Sequence, residues 1–324
     1  MKLHSQQALG QSDAFLEFSE KLSEAARADR PVIIIGERGT GKELAAARLH
    51  YLSRRWDGPF NTLNCAALSP NLMESELFGH EAGAFTGAAA RRQGRFEAAN
   101  SGTLFLDEIG NMPLTAQEKI LRAVEYGVFE RVGGSSPVSV DVRVVAATNA
   151  DLPGLVDQGK FKADLLDRLA FEVLKLPPLR EREGDVMLLA RHFAARMGIE
   201  MGFEDSPDFG PAAEEILTAY SWPGNIRELK NVVERAVYRS GGGPVTHVVI
   251  NPFGAAPSKI PESRGDKIPH GGLPQAVGEL KVRLLNNALK QAGGSQAAAA
   301  KLLGLTYDQF RGIYRKHKNA LDYN

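Results

Sequence analysis

The sequence has little or nothing of several features that would each indicate a class of protein. Its single cysteine, Cys65, rules out an internal disulfide and fits a reducing compartment. No apolar run is long enough to span a bilayer, and the N-terminal segment MKLHSQQALGQSDAF lacks the apolar core of a signal peptide. The formal net charge is zero, so the chain as a whole should not be drawn to nucleic acid or to anionic membranes. These absences predict a cytoplasmic protein without membrane insertion.

The composition and the order of patterns along the chain predict a globular protein of several domains. With 43% apolar and 24% charged residues, the chain can bury cores of ordinary size. Strand-like and helical segments alternate from residue 31 to about 175, which is typical of an α/β domain with a mainly parallel sheet. We predict an α/β domain over residues 1–175, a small all-helical domain over 176–240, a Gly- and Pro-rich linker over 241–275 and a helix-turn-helix over 276–324.

The segment GERGTGKE, which follows the β-branched run Val32–Ile35, has the strand, loop and helix order of a phosphate-binding loop. Its glycines let backbone N–H groups face phosphate oxygens, and the next helix presents its positive N-terminal end to the same anion. Lys42 would reach the β and γ phosphates of ATP, whereas a tight turn without a nucleotide is the alternative. The predicted ATP-binding residues here are Gly36, Glu37, Arg38, Gly39, Thr40, Gly41, Lys42 and Glu43.

Two acidic residues follow the apolar strand TLFL and supply what a phosphate-binding loop needs for hydrolysis. Asp107 can hold Mg²⁺ directly or through water, and Glu108 can orient and deprotonate the attacking water. The alternative is that the two carboxylates cap the next helix. Asn64, which ends the strand-like run 60–63, could hold Glu108 away from water in one nucleotide state, or could simply cap its own strand end.

Three further polar positions suit contacts to phosphate. Thr148 and Asn149 end another buried strand, where they could sense a γ-phosphate. Arg168 is a candidate arginine finger, because its delocalised cation would stabilise charge on the transferred phosphoryl group; the alternative is a helix salt bridge with Asp164. Arg227 lies in the first turn of a predicted helix, from which it could touch phosphate from above.

The stretch ELFGHEAGAFTGA predicts a protruding loop rather than a part of the nucleotide site. Gly83 and Gly87 bracket Ala84, Phe85 and Thr86, so the chain can turn twice and place an aromatic ring at the tip. An exposed Phe at such a tip suits contact with a partner. The alternative is that the ring folds back into the core.

The C-terminal part is basic although the whole chain is neutral. Between residues 278 and 318 there are eight Lys or Arg residues against two acids. Two short helices joined at Gly304 predict a helix-turn-helix, with a basic amphipathic helix that only dimerises as the alternative. The predicted base readers are Thr306, Tyr307, Gln309 and Arg311, and the predicted phosphate contacts are Arg315 and Lys316, together with Lys301 and Lys318.

In this order, the motifs GERGTGKE, NCAAL, ELFGHEAGAFTGA, GTLFLDEI, ATN and WPGNIRELKN resemble the central domain of the bacterial enhancer-binding proteins, the AAA+ ATPases that activate sigma-54 RNA polymerase. The resemblance covers residues 10 to about 240 and resumes near the C-terminus, and the GAFTGA element is its most specific part. It implies a P-loop AAA+ sheet domain, a helical lid, a Fis-type helix-turn-helix, ATP with Mg²⁺, enhancer DNA and a ring, expected to be a hexamer. Because no regulatory domain precedes the ATPase, it also implies control by a separate inhibitor protein.

The resemblance also assigns roles to positions near the phosphates. Lys42 matches the Walker A lysine, Asp107 and Glu108 match Walker B, and Glu43 is usual in the family. Asn64 matches the residue that switches Glu108. By the same resemblance, Thr148 and Asn149 match sensor I and Arg227 matches sensor II.

Other roles lie outside the phosphate contacts. Residues 83–88, which include Ala88, match the loop that touches the sigma factor, and residues 131–134 match a second loop that supports it. Of the two finger positions, Arg168 is kept, while Lys162 lacks the planar fork of an arginine. We also predict that Trp56, in the segment RRWDG, docks the inhibitor.

Two other functions remain open from the sequence. The first is a nucleotide-sensing DNA-binding regulator that does no work on polymerase, against which the intact Glu108 and Phe85 speak. The second is an AAA+ unfoldase or motor unrelated to transcription, which would have no use for the helix-turn-helix.

Overall fold

A computed structural model describes residues 8–252, 281–282, 284–289, 292–293 and 295–317. The chain divides into two compact units, residues 1–250 and 251–324. Most of the predicted linker and the start of the predicted C-terminal domain lie outside the described residues. Lys318, one of the predicted phosphate contacts, also lies outside them.

A five-stranded parallel sheet forms the centre of the first unit, in the order β2-β3-β6-β1-β7. A short antiparallel pair, β4 with β5, lies apart from it. The strands are β1 (Val32–Ile35), β2 (Phe60–Asn64), β3 (Thr103–Asp107), β4 (Val128–Glu130), β5 (Pro137–Ser139), β6 (Arg143–Thr148) and β7 (Glu172–Lys175). Because the sheet strands are parallel, their carboxyl ends meet at one edge, where ligands bind in open α/β sheets.

Helices connect the strands and then continue without strands into the lid. They are α1 (Asp13–Arg27), α2 (Lys42–Tyr51), α3 (Pro70–Phe78), α4 (Arg95–Ala98), α5 (Leu114–Tyr126), α6 (Leu152–Asp157), α7 (Ala163–Leu169), α8 (Asp185–Met201), α9 (Pro211–Ala219) and α10 (Asn225–Ser240). Short 3₁₀ turns occur at Cys65–Ala67, Ile109–Asn111 and Leu179–Glu181. In the ranges that the structure describes, no helix has the length and apolarity to cross a membrane.

Both faces of the sheet are covered by apolar helix faces. On one face, α1 buries Phe15, Phe18 and Leu22, which recur at helical spacing, against the sheet and α2. The other face packs on α3, α5 and α7. The strands β3 and β6 are buried on both sides, as expected for central strands of a parallel sheet.

The lid has its own core, built from α8, α9 and α10. Trp222 is fully buried there, and its indole N–H donates to the carbonyl of Leu217 at 2.8 Å. The sequence-based prediction of an α/β domain followed by a helical lid is therefore confirmed.

The second unit contains a small helical core. Residues 284–289 are helical, and the helices Gln296–Leu302 and Tyr307–His317 follow. Phe310 is fully buried between them, against Leu285 and Ala299 among others. Two short helices that meet at a glycine turn form the predicted helix-turn-helix, and Gly304 has the positive φ of 65° that this turn requires.

Replacing Phe78 by Ala should lower the free energy of unfolding by about 3–5 kcal/mol. The ring is fully buried at the end of α3 and stacks on Phe96 at a centroid distance of 5.5 Å, so its removal leaves a cavity that neighbouring rings cannot fill. Urea denaturation of the two chains measures the change. The matched control is Tyr126→Ala at an exposed position, which should change stability by less than about 0.5 kcal/mol; equal losses in the two variants would contradict the assignment of Phe78 to the core.

Candidate active site

The loop between β1 and α2 has the backbone geometry of a phosphate cradle. Gly39 and Gly41 have φ values of +80° and +99°, a region that residues with a Cβ rarely occupy. A Cβ on Gly39 would also lie 2.3 Å from the carbonyl oxygen of Gly224 in the lid. Helix α2 begins directly after Gly41, so its free N–H groups face the loop.

Lys42 points its ammonium group into this loop. The side chain is largely buried, with 7% of the residue exposed, and Nζ donates to the carbonyl oxygens of Gly36 at 2.9 Å and Glu37 at 3.2 Å. The loop carbonyls thus accept hydrogen bonds from the cation, and phosphate oxygens are acceptors that the same ammonium group can bind.

The charges at this site come from three different parts of the sequence: the phosphate loop, the end of β3 and the lid. Burial lowers the pKa of Lys42, while the carboxylates of Glu108 and Asp107 act in the opposite direction and favour the charged form. The cations Arg227 and Arg38 lower the pKa further. The fold therefore brings Lys42, both acids and the lid arginine into one electrostatic neighbourhood, as a site for a polyphosphate requires.

The two acids at the end of β3 differ in the hydrogen bonds that their carboxylates accept. The Oδ1 atom of Asp107 accepts a hydrogen bond from the backbone N–H of Glu108 at 3.0 Å. Glu108 has a left-handed backbone with φ of +53°, and its Oε2 atom is buried with no donor among the residues that the structure describes. A buried carboxylate oxygen without a donor is a natural acceptor for a water molecule or its proton.

Asn64 contacts Asp107 rather than Glu108 in this structure. Its Nδ2 atom donates to Oδ2 of Asp107 at 3.3 Å, and its Oδ1 atom accepts from the backbone N–H of Ala66 at 2.9 Å. The second bond caps the 3₁₀ turn that follows β2. The capping role considered from the sequence is thus present, whereas the contact that was predicted with Glu108 is made with Asp107 in this structure.

A cavity of about 510 Å³ opens beside the phosphate loop, a volume within the range of small-molecule sites. Sequence reasoning missed the residues that line it outside the loop. They come from the segment before α1, from α1 and α2 and from the lid: Leu9, Phe15, Phe18, Leu44, His192, Phe193, Arg196 and Ile226. The apolar face of α1 was visible in the sequence, but nothing in it showed that the lid would close over that face.

Thr148 and Asn149 lie at the same sheet edge. The carbonyl oxygen of Thr148 accepts from the N–H of Gly36 at 3.1 Å, which ties the end of β6 to the start of the phosphate loop. The Thr148 hydroxyl accepts from the N–H of Ala150 at 3.0 Å and is fully buried, whereas Asn149 is exposed. Of the two, Asn149 therefore has the side chain that a ligand can reach.

The two candidate fingers are held by carboxylates of α5. Arg168 pairs with Glu125, in place of the Asp164 considered from the sequence, and Lys162 pairs with Glu118 at 2.7 Å. Neither cation lines the cavity beside the phosphate loop of its own chain.

Residues 83–88 form a closed and exposed turn. The N–H of Gly83 donates to the carbonyl of Ala88 at 2.8 Å, and both Gly83 and Gly87 have positive φ. Phe85 is 42% exposed, with its ring edge-on to His80 at a centroid distance of 5.0 Å. The ring therefore rests on the surface and is not part of the core.

A second loop supports this turn from beneath. A Cβ on Gly133 would lie 2.6 Å from the Cβ of Ala84, so the two loops touch at their backbones. Arg131 is buried below them, where it donates to both oxygens of Glu97 at 2.8 and 2.6 Å and to Glu81 at 3.0 Å. A buried arginine with three such bonds fixes the position of both loops.

Helix α3 connects the acids to the exposed turn. The chain runs from Asn64 through the 3₁₀ turn into α3, which ends at Phe78, and residues 79–82 then lead from its capping residue Gly79 into the turn. Lys119 of α5 donates to Glu74 of α3 at 2.7 Å and lies over the Phe78 ring. Helix α3 therefore connects Asn64, which contacts Asp107, to the base of the exposed turn.

Of the predicted DNA contacts, Lys301 is exposed on the helix Gln296–Leu302, and the others that the structure describes are exposed on the last helix and the turn before it. Thr306 and Gln309 form a reciprocal capping box: the Gln309 side chain accepts from Thr306 N–H at 3.0 Å, and the Thr306 hydroxyl accepts from Gln309 N–H at 3.3 Å. Tyr307 and Arg311 have no such local bond among the contacts of the described residues. The exposed cations Arg315 and Lys316 lie in the last turn.

Trp56 is 63% exposed in the segment between α2 and β2. The neighbouring Arg55 holds this segment in place through Asp29, with two bonds of 2.7 Å, and through Asp141 at 2.6 Å. The indole thus lies on a fixed part of the surface.

Glu37 belongs to the phosphate loop, but its carboxylate faces the lid. Arg180 donates to Oε2 at 2.9 Å and to Oε1 at 2.7 Å, and Asn225 donates to Oε2 at 3.0 Å. The hydrogen bonds from Arg180 and then Asn225 lower the pKa of Glu37 from its usual 4.5 to about 2.

Comparison with known proteins finds matches along most of the chain. Residues 8–175 match the sigma-54 interaction domain, residues 180–255 the AAA+ ATPase lid domain, and residues 282–316 the Fis family of bacterial regulatory proteins. The Psp operon transcriptional activator of Escherichia coli (strain K12) is 56% identical over 318 residues, which cover 96% of this chain and 97% of that protein. The regulatory protein AtoC of the same organism is 45% identical over 92% of this chain and 65% of its own length.

Solved structures are also similar to this chain. NtrX from Brucella abortus in complex with ATP superimposes with a TM-score of 0.72 at 32% identity, over 97% of this chain and 70% of that one. The same protein in complex with ADP gives a TM-score of 0.70 at 32% identity, over 97% and 69%.

We expect Glu37 to remain ionised between about pH 3 and 6 in the native chain, because its folded-state pKa is lowered. The stability that the contact of Glu37 with Arg180 and Asn225 contributes is therefore fully present above pH 4.5 and is lost as the pH falls toward 2. In Arg180→Ala the pKa of Glu37 should return toward 4.5, so its carboxyl should take up a proton between about pH 3 and 6. A ¹³C NMR titration of the Glu37 carboxyl measures this, and identical titration curves for the two chains would contradict the contact.

Proposed function

The chain belongs to the sigma-54 activator family of AAA+ ATPases, and from this membership we propose that it hydrolyses ATP to remodel the closed promoter complex of sigma-54 RNA polymerase. It is an ATP-binding ATPase with a sigma-54 interaction domain and a Fis-type DNA-binding domain. The observation that carries the proposal is the exposed Phe85 turn, which α3 joins to Asn64 and so to the Walker B residue Asp107.

For hydrolysis, we propose that Lys42 binds the β and γ phosphates and that Glu108 deprotonates the attacking water. The buried Oε2 atom of Glu108, which lacks a donor among the described residues, supports the role as base. Asp107 with phosphate oxygens and water suits Mg²⁺, because this ion takes one or two carboxylates and keeps most of its waters. When bound, Mg²⁺ would neutralise charge on the phosphates.

The remaining phosphate contacts are proposed to report the state of the nucleotide. Asn149 and Thr148 lie at the sheet edge beside Gly36, where a γ-phosphate sensor is expected, and Arg227 reaches the same neighbourhood from the lid. We propose that Asn64 exchanges its contact with Asp107 for one with Glu108 during the cycle.

We propose that Arg168 acts on the nucleotide of a neighbouring subunit in a ring, expected to be a hexamer. It is absent from the cavity of its own chain and half exposed on α7, so it can meet a second copy. Lys162, a point charge without the planar fork, is the weaker candidate for the second finger.

The turn at residues 83–88 is the proposed contact with the sigma factor, with Phe85 and Thr86 at its tip. Because the second loop at 131–134 touches the turn at its backbone, the two loops would move together. A shift of α3 on hydrolysis would then reach the tip directly.

At the other end of the chain, the last helix is proposed to read enhancer DNA upstream of a phage shock (membrane stress) operon, since the relative that is 56% identical activates the Psp operon. Among the described residues, the side chains of Tyr307 and Arg311 make no local hydrogen bond and can contact bases, while Thr306 and Gln309 would contact DNA only as far as their capping box allows.

We also propose domain boundaries at residues 175, 240 and 275. We further propose a cytoplasmic, nucleoid-associated location.

Replacing Phe85 by Ala should abolish transcription from a sigma-54 promoter while ATP hydrolysis persists, because the ring lies on the surface against His80 and does not line the cavity beside the phosphate loop. In vitro transcription with sigma-54 polymerase and ATP, alongside phosphate release, measures both. The control is Tyr238→Ala, an exposed aromatic of the lid, which should preserve both activities. Unimpaired transcription by Phe85→Ala would refute the loop assignment. Hydrolysis without any open complex in the native chain would instead favour a nucleotide-sensing regulator.

We further propose that Trp56 docks an inhibitor that resembles phage shock protein A. Trp56→Ala should restore ATP hydrolysis in the presence of that inhibitor, since the exposed indole supplies apolar contact area on a rigid segment. Steady-state hydrolysis at increasing inhibitor concentration is the measurement. Inhibition of the variant at the same concentration as the native chain would overturn this proposal.

A further inference from the structure

Asn225 lies where the lid meets the phosphate loop, and its side chain bonds to both. It is fully buried with a left-handed backbone, φ +53°. The Nδ2 atom donates to the Glu37 carboxylate at 3.0 Å and to the carbonyl of Arg38 at 3.1 Å, and the Oδ1 atom accepts from the N–H of Leu179 at 2.8 Å. One amide group therefore holds two residues of the phosphate loop and the first turn of the lid.

Arg180 adds a second bond between the same two parts. It follows Leu179 in the 3₁₀ turn that begins the lid, and its guanidinium forms a two-bond contact with Glu37. Such a forked pair fixes direction as well as distance. We call Glu37, Arg180 and Asn225 the Glu37 cluster.

Arg227 follows Asn225 by two residues in the first turn of α10 and is placed by the same contacts. Its backbone N–H donates to the carbonyl of Gly39 at 3.3 Å, and a Cβ on Gly39 would lie 3.1 Å from its Cβ. Its cation is close enough to Lys42 to lower the pKa of that residue. The position of the Arg227 guanidinium over the phosphate loop therefore depends on how α10 docks.

We propose that the Glu37 cluster positions Arg227 over the phosphate end of the ATP cavity, so that its residues set the affinity for ATP without touching the nucleotide. The inference rests on the proposed phosphate role of Arg227. Glu37 and Arg180 are positioning residues in this scheme: the phosphate loop carries an acid at Glu37 because the lid carries its partners.

The exposure of the cluster separates positioning from stability. The side chains of Glu37 and Arg180 are 42% and 44% exposed, so water screens their attraction and the pair adds little to the free energy of folding. The fork can still set the direction in which the lid docks, because a small energy is enough to favour one orientation. Removing Arg180 should therefore disturb nucleotide binding more than thermal stability.

The experiment uses full-length Arg180→Ala and titration calorimetry with a non-hydrolysable ATP analogue and with ADP, both with Mg²⁺. The affinity for the ATP analogue should fall about fivefold and that for ADP by less than about twofold, because only ATP has the γ-phosphate that Arg227 would touch. The matched control is Arg191→Ala, which removes another exposed lid ion pair, to Glu214 at 2.9 Å, and should change neither affinity.

A double-mutant cycle distinguishes positioning from a general loss of structure. If the cluster acts through Arg227, adding Arg180→Ala to Arg227→Ala should weaken binding of the ATP analogue no further. Glu37→Gln, which keeps the shape and one acceptor, should reproduce the effect of Arg180→Ala. Additive losses in the double variant, or native affinity in Arg180→Ala, would overturn the inference.

These measurements need no polymerase, so their outcome is independent of the proposed work on the promoter complex. A chain that binds the ATP analogue as expected but fails in transcription would count against the proposed function and not against the cluster. Native-like unfolding temperatures of Arg180→Ala and Glu37→Gln confirm that the variants are folded.

Discussion

The parallel register of the strands β2, β3, β6 and β1 is the constraint on which the site depends. Asn64 pairs with Asp107 across β2 and β3, and Ile35 pairs with Thr148 across β1 and β6. Because β3 and β6 are buried on both faces, a shift of either strand would expose apolar side chains and break the hydrogen-bond ladder. Strand pairing therefore brings Lys42, the acids and the polar strand ends to one edge of the sheet. Attraction between these polar groups is not needed to place them there.

The exposed turn at residues 83–88 is connected to this sheet edge through α3. It is closed by its own backbone hydrogen bonds and held from below by Arg131, so it behaves as one body with the second loop. Its route back to Asp107 is α3, whose end is packed by Phe78. A close-packed helix transmits a displacement instead of absorbing it, which is what a loop that performs work on a partner needs.

The lid is attached differently, through a few polar contacts at its start and at the first turn of α10. Apolar surface closes the cavity beside the phosphate loop, but direction comes from bonds to Glu37 and to the loop carbonyls. The exposed bond between Arg180 and Glu37 can be broken and remade at little cost, whereas the bonds of the fully buried Asn225 hold the lid more firmly. The two attachments thus differ in kind: a packed helix joins the turn to the sheet edge, and directed hydrogen bonds join the lid to the phosphate loop.

Four features were predictable from the sequence, because each is a local pattern with a local physical cause. They are the strand, loop and helix around Lys42, the acids after an apolar strand, Phe85 between two glycines, and the basic C-terminal helices. The partners of the polar side chains were decided by the tertiary structure. Arg168 pairs with Glu125 and not with Asp164, Glu37 faces the lid, and α1 and α8 line part of the cavity with residues such as Phe15 and Phe193 that lie in none of the motifs. Such contacts join residues far apart in sequence, and only the packing of whole elements determines which donor meets which acceptor.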